Sequence, residues 1–452
     1  MKQETSWRRS AVKKMVKLLL AGGLLYLAGC SNLVYLTGQK ILPLPTNTVA
    51  RTPIYHQGDW IVARGSIHNH STFSDGVHPP EDLLKLAQLE GIAVMAVTDH
   101  REGAIKIKHG PKLPVNGIER VGYQVYFDRL RPLREEYRKQ GMIILIGAEV
   151  NAYLYNYGKA MHPVVAFQNR HLVVYGIDDP QVFQNMPVWR QVHVRPPEPY
   201  QGLEKFQTFI DYINDHGGVV EIAHPESGQD DWVGPVHFFD QGPINHIRDL
   251  KRASDFAILP EGYHALAGGA GGMWDTTLLE YLMGMRDQAP WCEGDADYHG
   301  PEESPAWVTT LFYLKKFEEP DVYAAMRAGR TVALMGKSFQ DSFVAEFSVS
   351  EAGAKPKAPI MFAQTVKVAS PPVIRFSLNH DVPETTVRLI RNGRVILKKA
   401  GTAFEFTDSE MFAQKLPAYY RVEVKGPALS KAEQGYYAPE SEIFTNPIFV
   451  RL

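Results

Sequence analysis

The feature that most constrains the fold is an alternation of strand-like and helix-like runs between residues 61 and 335. Residues 92–97 and 142–146 are continuous apolar runs, which are typical of strands buried on both faces. Residues 203–215 place apolar side chains at helical spacing and are followed closely by a Gly-Gly pair. Strands that alternate with helices over short links predict an α/β fold with a parallel sheet. A length of roughly 275 residues suits closure of that sheet into a barrel.

The pattern changes near residue 340, where the runs become short and alternate between apolar and polar residues. Two such runs flank Asn392 and Gly393, a pair that strongly indicates a type I′ hairpin. Several short alternating strands predict an immunoglobulin-like β-sandwich. The expected organisation is therefore a barrel domain over residues 61–340 followed by a sandwich domain over residues 341–452.

The first 29 residues have the pattern of a secretory signal, in which a basic start precedes an apolar stretch of 12 residues. That stretch is too short to span a membrane as a helix. Its end, Leu27-Ala28-Gly29-Cys30, resembles the lipobox of bacterial lipoproteins. The resemblance implies cleavage before Cys30 and a lipid on that cysteine. An ordinary signal peptide or a short anchor helix is the alternative.

A lipid on Cys30 would place the protein in the bacterial cell envelope, facing the periplasm. Ser31 is compatible with sorting to the outer membrane rather than the inner one. Residues 30–60 contain three prolines and are predicted to tether the folded part to the membrane. The second cysteine, Cys292, then has no partner within the chain, which predicts a small buried apolar side chain.

The charge balance argues against long nucleic acids as partners. The chain has 48 basic and 50 acidic residues. Loss of residues 1–29 removes six basic residues and one acidic residue, which leaves 42 and 49 and a net charge of −7. A chain without a basic excess lacks the electrostatic footprint of a nucleic-acid-binding protein.

The strongest functional signal is the pair His68 and His70, which follows a strand-like run. Residues i and i+2 of a strand point to the same face, so the two imidazoles can bind one cation. Two polar residues on a solvated strand face are the alternative for this pair alone. Further strand-like runs also end in residues of metal-binding type: Asp99 with His100, Glu149, His224, and Asp297 with His299.

These residues are expected to converge, because the carboxyl ends of parallel strands form the functional face of α/β folds. His171 begins a strand instead of ending one. Its assignment therefore competes with that of His162, which also precedes an apolar run. Bound cations give the shared reason for so many polar residues at strand ends.

The same residues resemble, in order, spacing and strand context, the motif series of the polymerase-and-histidinol-phosphatase (PHP) superfamily. The resemblance covers about residues 64–335 and implies a distorted seven-stranded (β/α) barrel with a three-metal cluster. Residues 327–332 further resemble the carbaryl-hydrolase-like branch. The matching motifs are His68-Asn69-His70 with Ser74-Asp75-Gly76, Thr98-Asp99-His100, Glu149, His171, Ala223-His224-Pro225 and Asp297-Tyr298-His299.

The resemblance implies three groups of metal ligands. The first ion is held by His68, His70, Glu149 and Asp297; the second by Glu149, His171 and His224; the third by Asp75, His100 and His299. Three divalent ions against three carboxylates leave a net positive charge, which suits an anionic substrate. Mixed imidazole and carboxylate ligands fit Zn²⁺, Mn²⁺ or Fe²⁺ alike.

Asp99, Arg101 and His299 are the candidate catalytic residues. Asp99 is expected to support neighbouring ligands or cap a strand end. Arg101 is expected either to bind a phosphate or carboxylate or to be an ordinary exposed arginine. Asp295 stands where the family usually has a small residue, and it is expected to support a ligand or to alter substrate polarity.

The function implied by the resemblance is metal-dependent hydrolysis of a phosphoric ester in a small anionic substrate. The ions would lower the pKa of a bound water from ~15.7 towards ~7 and provide hydroxide. Hydrolysis of a carbamate, amide or carboxylic ester is the alternative within the enzyme class. A non-catalytic surface lipoprotein, in which the sandwich recognises a glycan or a protein, is the alternative outside it.

Overall fold

The computed structural model describes residue 44 and residues 54–106, 112–159, 161–166, 170–193, 202–260, 266–300, 303–429 and 440–452. The predicted signal peptide, Cys30 and most of the predicted tether lie outside the described residues. Within the part of the chain that the structure describes, no helix combines the length and the apolar character needed to span a membrane.

The chain up to residue 335 mixes strands with helices. Its strands are β1 (Ile54–Gln57), β2 (Trp60–Ser66), β3 (Val94–Val97), β4 (Ala104–Lys106), β5 (Lys112–Pro114), β6 (Ile143–Asn151), β7 (Tyr153–Lys159), β8 (His162–Ala166), β9 (His171–Tyr175), β10 (Trp189–His193), β11 (Val219–Ile222), β12 (Gln229–Val233), β13 (Val236–Asp240), β14 (Asp255–Leu259), β15 (Trp291–Gly294), β16 (Val308–Leu314) and β17 (Thr331–Met335). Its helices are α1 (Pro80–Leu89), α2 (Ile118–Val121), α3 (Tyr123–Lys139), α4 (Pro180–Gln184), α5 (Leu203–Asp215), α6 (His246–Asp249), α7 (Met273–Leu282) and α8 (Glu319–Arg327).

The chain after residue 335 consists mainly of strands. They are β18 (Val344–Glu351), β19 (Thr365–Lys367), β20 (Pro372–Leu378), β21 (Thr386–Arg391), β22 (Arg394–Ala400), β23 (Ala403–Thr407), β24 (Ala418–Ala428), β25 (Glu440–Thr445) and β26 (Ile448–Arg451), with a 3₁₀ turn at Lys337–Phe339 and helix α9 (Ser409–Gln414). Asn392 and Gly393 both have positive φ between β21 and β22, as a type I′ turn requires. The hairpin prediction is therefore confirmed.

The architecture is a mixed α/β fold, as the sequence predicts, and its largest sheet includes strands from both sides of residue 340. Its hydrogen-bonded order is β15-β14-β11-β9-β6-β3-β2-β16-β17-β25-β24-β21-β22. Helix α5 matches the predicted range and buries its apolar stripe, Phe206, Phe209, Ile210 and Ile213, in the main core. Closure of the sheet into a barrel, and a separate sandwich after residue 340, remain predictions.

The expectation of an all-parallel sheet is wrong at β9 and β16. Strand β9 runs antiparallel to both of its neighbours, β6 and β11, and β16 runs antiparallel to β2. A parallel pair needs a crossover connection. Between β6 and β9 the described chain forms the β7–β8 hairpin instead of a helix, so it re-enters the sheet at the edge it left.

The predicted tether also needs a correction at its end. Residues Ile54–Gln57 form β1, which pairs antiparallel with β2 from Ile54 opposite Ala63 to Gln57 opposite Trp60. Paired backbone of this kind belongs to the folded sheet. A tether over residues 30–60 therefore ends before Ile54.

Candidate metal centre

The sheet brings the predicted ligands to one edge. His68 and His70 follow β2, and Asn69 between them forms a bridge with Tyr298, which lies between Asp297 and His299. His100 follows β3 and forms a bridge with Glu149 of β6. His224 follows β11. Residues that are far apart in sequence are thus fixed by backbone pairing on neighbouring strands.

His171 reaches the same edge because β9 runs backwards. The first residue of β9, His171, lies opposite Asn151 at the end of β6. The start of β9 therefore lies at the same sheet edge as the end of β6, where the other predicted ligands are found. His162, the competing candidate, lies at the exposed start of β8 and belongs to none of the clusters found among the described residues.

The first ligand group is formed by His68, His70, Glu149 and Asp297. The Nε2 atoms of His68 and His70 both lie 3.4 Å from Glu149 Oε2. The same nitrogens lie 3.4 and 3.3 Å from Asp297 Oδ1. Ligand atoms at about 2.0–2.1 Å from a tetrahedral ion are separated by roughly this distance.

These atoms also lack other partners. His68 Nε2, His70 Nε2 and Asp297 Oδ1 are buried and make no hydrogen bond. A buried polar atom without a partner costs free energy of about 1–3 kcal/mol. Three such atoms that face one point have a common explanation in a cation between them. The residues present therefore fit a metal ion.

The second group consists of His70, Asp75, His100 and His299. Asp75 Oδ2 lies 3.6 Å from His100 Nε2 and 3.3 Å from His299 Nε2. Gly76 makes this position possible, because a Cβ at Gly76 would lie 2.0 Å from the carbonyl oxygen of His70. The loop can fold back against His70 only with glycine there.

The third group surrounds the other oxygen of Glu149. Its Oε1 lies 2.6 Å from His171 Nδ1 and 3.0 Å from His224 Nε2, and these two nitrogens are 3.2 Å apart. His100 also approaches Glu149, with Nδ1 at 2.8 Å from Oε2. Glu149 therefore takes part in the first group through Oε2 and in the third through Oε1, whereas the second group does not include it. This position between two groups agrees with the bridging role that the resemblance implies.

The protonation of the cluster is a response to burial and mutual charge. Burial opposes the charged form of His68, but Asp295, Glu149 and Asp297 raise its pKa well above the ordinary value. Burial likewise opposes ionisation of Glu149, but His171, His100 and His68 hold its pKa well below the usual range. A cation that binds here would displace imidazolium protons.

The pKa of His70 is shifted in the opposite direction to the pKa of His68 and of His100. Burial, followed by the charges of His299 and His100, lowers the pKa of His70 to about 3. Burial also opposes the charge of His100, but Glu149 and Asp75 raise its pKa to about 9. His70 is thus held in the neutral form, which is the form that binds metals.

Two ligands have an uncommon backbone conformation. His224 has φ of 25° and Asp297 has φ of 43°, and both are non-glycine residues. Positive φ at such residues costs about 1–3 kcal/mol and persists where the surrounding structure enforces it. Such strain is concentrated at functional sites.

Asp99 supports a ligand loop rather than facing the cluster. It is fully buried and accepts hydrogen bonds from the backbone and hydroxyl groups of Ser71 and of Ser74, at 2.7–3.0 Å. Both carboxylate oxygens are used in these bonds. This geometry agrees with the expectation that Asp99 supports neighbouring ligands, here through the loop that carries Asp75, and a catalytic role for Asp99 stays a prediction.

Of the two expectations for Arg101, the structure contradicts the ordinary exposed arginine. It is buried, so it is not an ordinary exposed arginine. Its Nη2 donates to the carbonyl of Gln184 at 3.0 Å, Nη1 lies 3.5 Å from Glu119, and the guanidinium lies over the ring of Tyr123. These contacts hold it among residues outside the three ligand groups. A role in binding substrate phosphate stays a prediction.

Asp295 supports a metal ligand directly. Its Oδ2 lies 2.7 Å from His68 Nδ1, and its Oδ1 accepts the backbone N–H of Asp297 at 2.9 Å. A carboxylate on the far nitrogen of a ligating histidine orients the ring and raises its basicity. The expectation that Asp295 supports a ligand agrees with this geometry.

A set of buried carboxylates beside the centre was not predicted. Glu221, Asp255 and Glu293 lie on the adjacent strands β11, β14 and β15 and are fully buried. Burial, followed by the charge of Asp295, raises the pKa of Glu221 to about 8. Acidic residues inside runs such as Val-Val-Glu-Ile were the available signal, since a charged residue is out of place in a buried strand.

The fold and the cluster define an α/β protein with a carboxylate- and histidine-lined metal centre at one sheet edge. The family model described as PHP domain matches residues 66–324, which is more than half of the chain. The chain therefore belongs to the PHP-domain family, and the resemblance read from the motifs is confirmed. Membership and the cluster together support a metal-dependent hydrolase.

Solved structures with some similarity come from three bacteria. A two-domain protein of Bacteroides vulgatus, containing a predicted PHP-like metal-dependent phosphoesterase, has 11% identity and a TM-score of 0.39, covering 91% of this chain and all of its own. A candidate metal-dependent phosphoesterase of Bifidobacterium adolescentis has 16% identity and a TM-score of 0.28, covering 52% of this chain and 87% of its own. An amidohydrolase of Chromobacterium violaceum with bound sulfate and no metal has 17% identity and a TM-score of 0.26, covering 54% of this chain and 90% of its own.

These TM-scores are too low to support a conclusion about fold or activity. No curated protein matches the chain. The assignment to the family therefore rests on the match of the PHP domain and on the geometry of the ligand residues.

Proposed function

We propose that the protein is a metal-dependent phosphoesterase that acts on a small anionic substrate at a centre of three divalent ions. The observation that carries the proposal is the convergence of eight His, Asp and Glu residues in three overlapping groups, with His224 beside them at 3.0 Å from Glu149. In the first group each histidine Nε2 lies 3.3–3.4 Å from an oxygen of Glu149 and from one of Asp297. Zn²⁺, Mn²⁺ and Fe²⁺ all suit such a ligand set.

The chain's own residues hold the ions and balance their charge. His68, His70, Glu149 and Asp297 hold the first ion; Glu149, His171 and His224 the second; Asp75, His100 and His299 the third. When bound, such ions act as Lewis acids and lower the pKa of water towards ~7. Six positive charges against three carboxylates favour an anionic substrate.

The substrate is expected to approach from the side of His299 and Asp297. Their side chains are 34% and 28% exposed, whereas those of His68 and Glu149 are almost fully buried. We propose that His299 either binds the third ion through Nε2 or, where Nε2 carries no ion, uses that nitrogen to hold or release a proton for the leaving group. Its Nδ1 donates to the carbonyl of Asp297 at 2.7 Å, which fixes the ring.

The test combines metal analysis with hydrolysis assays on a phosphomonoester and a phosphodiester, with and without a chelator. We expect bound divalent metal, chelator-sensitive hydrolysis and loss of at least 100-fold of the activity in the double variant His68→Ala and His70→Ala. His237→Ala is the matched control, because His237 lies in the β12–β13 hairpin and pairs with Asp230.

Three outcomes would contradict the phosphoesterase assignment. Full activity in the folded double variant would remove the metal centre from the reaction. Hydrolysis of carbamates, amides or carboxylic esters without hydrolysis of phosphoric esters would support the alternative substrate class. Metal binding without any hydrolysis would support the non-catalytic lipoprotein.

We also propose that the mature protein is anchored by a lipid on Cys30 and faces the periplasm. The proposal rests on the basic start, the apolar stretch and the small residues before Cys30. Metabolic labelling with a fatty acid in a bacterial host tests it. We expect label in the membrane fraction of the natural sequence and none in Cys30→Ser.

A further inference from the structure

Arg421 connects the C-terminal strands to the part of the chain that carries the metal ligands. It lies on β24 and is fully buried. Its Nε and Nη2 donate to the two carboxylate oxygens of Asp275 in α7, at 2.7 and 2.8 Å. The guanidinium also lies over the ring of Trp274, 4.9 Å from its centre. A bidentate pair of this kind fixes both partners in orientation as well as distance.

The same pair holds the glycine-rich segment 266–272. Arg421 Nη2 donates to the carbonyl of Gly268 at 3.0 Å, and the backbone N–H of Gly271 donates to Asp275 Oδ2 at 2.7 Å. Two backbone hydrogen bonds also hold the segment: the N–H of Met273 donates to the carbonyl of Leu266, and the N–H of Trp274 donates to the carbonyl of Ala267. The segment is thus fixed through polar contacts that Arg421 and Asp275 organise.

The segment in turn holds the turn that follows β11. The backbone N–H groups of Leu266 and Ala267 both donate to Glu226 Oε1. Glu226 lies two residues after His224, and Ser227 N–H donates to the carbonyl of His224 at 2.9 Å. His224 has φ of 25°, so its backbone must be held in place by such contacts.

We infer that Arg421 is a positioning residue for the ion held by His171 and His224. The connection runs from Arg421 and Asp275 through segment 266–272 to Glu226 and the turn at His224. The C-terminal strands thereby set the affinity of the metal centre. The inference rests on the proposed function and extends it, because it gives the C-terminal part a role at the site.

The experiment measures metal binding and does not depend on hydrolysis. Apo protein is titrated with Co²⁺, whose visible absorption reports the geometry of each site, and with Zn²⁺ in competition with a chelator. In Arg421→Met we expect at least a tenfold weaker affinity for one of the three ions and an altered Co²⁺ spectrum. Glu226→Ala is expected to give the same change. Glu226→Gln is expected to keep the natural affinity and Co²⁺ spectrum, because the amide oxygen still accepts both N–H groups.

Arg391→Met is the matched control. Arg391 also makes two hydrogen bonds to one aspartate, Asp408, at 2.8 and 2.9 Å, but Arg391 lies on β21 and Asp408 is the N-cap of α9, so both partners belong to the C-terminal part. It is expected to lose thermal stability without any change in the Co²⁺ spectrum. If Arg421→Met does not fold, Glu226→Ala decides, since Glu226 lies in a partly exposed turn.

Unchanged affinity and an unchanged Co²⁺ spectrum in folded Glu226→Ala would overturn the inference. An equal effect of Arg391→Met would also overturn it, because the loss would then reflect general stability. Absence of metal binding in the natural sequence would contradict the proposed function itself, so the two failures are distinguishable.

Discussion

At the scale of single residues, Asp295 contacts His68, one of the proposed metal ligands, from the side away from the first ligand group. Its carboxylate lies 2.7 Å from His68 Nδ1, and the pKa of Asp295 is raised by burial despite the charge of His68. We predict that Asp295→Asn weakens metal affinity by about 10–100-fold, as is usual for a lost partner of a ligating histidine.

The measurement is competition with a chelator of known affinity. Asp287→Asn, a change at an exposed residue, is the control and should bind metal like the natural sequence. If Asp295→Asn binds metal as tightly as the natural sequence does, the Asp295 carboxylate does not strengthen metal binding by His68.

Glu221 gives a prediction for the pH dependence of stability. Burial, followed by the charge of Asp295, raises its pKa to about 8 from an ordinary value of 4.5. The folded state therefore retains a proton that the unfolded chain releases, so the free energy of unfolding falls as pH rises from about 4.5 to about 8. Glu221→Gln has no such proton to retain.

We expect Glu221→Gln to resemble the natural protein near pH 5 and to be more stable at pH 8, by on the order of a few kcal/mol. The amide oxygen can still accept the hydrogen bond that Tyr175 donates to Glu221. Denaturant unfolding at several pH values, at a fixed metal concentration, is the measurement. Parallel stability curves for the two proteins would contradict the assignment of this proton to Glu221.

At the scale of elements, the loop after β2 depends on Asp99. Four hydrogen bonds from Ser71 and Ser74 to Asp99 fix the loop that carries Asp75. We predict that Asp99→Ala lowers activity at limiting metal by at least tenfold and that excess Mn²⁺ restores most of it. The reason is that a loosened loop lowers the affinity for the ion that Asp75 is proposed to hold, while the reacting groups remain in place.

The control for this prediction is a variant of a ligand itself. Asp75→Ala should lose activity that excess metal does not restore. If excess metal fails to rescue Asp99→Ala as well, Asp99 takes part in the reaction, as the sequence-based assignment to catalysis proposed.

Strand β9 shows which part of an element could be predicted. The apolar run after His171 indicates a strand, and the strand is present. Its direction could not be predicted, because direction depends on the connection before it, and in the described chain that connection contains the β7–β8 hairpin. Because the strand is reversed, it places His171 beside His224.

At the scale of the whole molecule, features that depend on neighbouring residues could be predicted from the sequence, whereas pairings between distant residues could not. The α/β class, helix α5, the type I′ hairpin and most of the ligand series follow from periodicity, glycine and strand-end residues, whereas Asp75 and His171 were assigned as ligands from the family resemblance. The pairing of Asp275 with Arg421 joins residues 146 positions apart, and no local pattern indicates it. Sheet order across residue 340 was unpredictable for the same reason.

That sheet order bears on whether the chain divides at residue 340. Strand β17, before the boundary, pairs with β25 after it, with Val332 opposite Thr445 and Met335 opposite Glu442. One apolar core also contains residues from both sides, including Val62 and Leu334 together with Ile443. Removal of residues 341–452 would expose the edge of β17 and this apolar face to water.

We therefore predict that residues 54–340 expressed alone are insoluble or bind a hydrophobic dye, whereas residues 54–452 are soluble and unfold in one cooperative transition. The physical reason is that the lost strand β25 supplies both hydrogen bonds and apolar cover to β17. Size-exclusion chromatography and dye binding make the comparison. A monomeric, metal-binding 54–340 fragment would contradict this prediction. It would show that residues 54–340 are stable without residues 341–452, although one sheet runs through both.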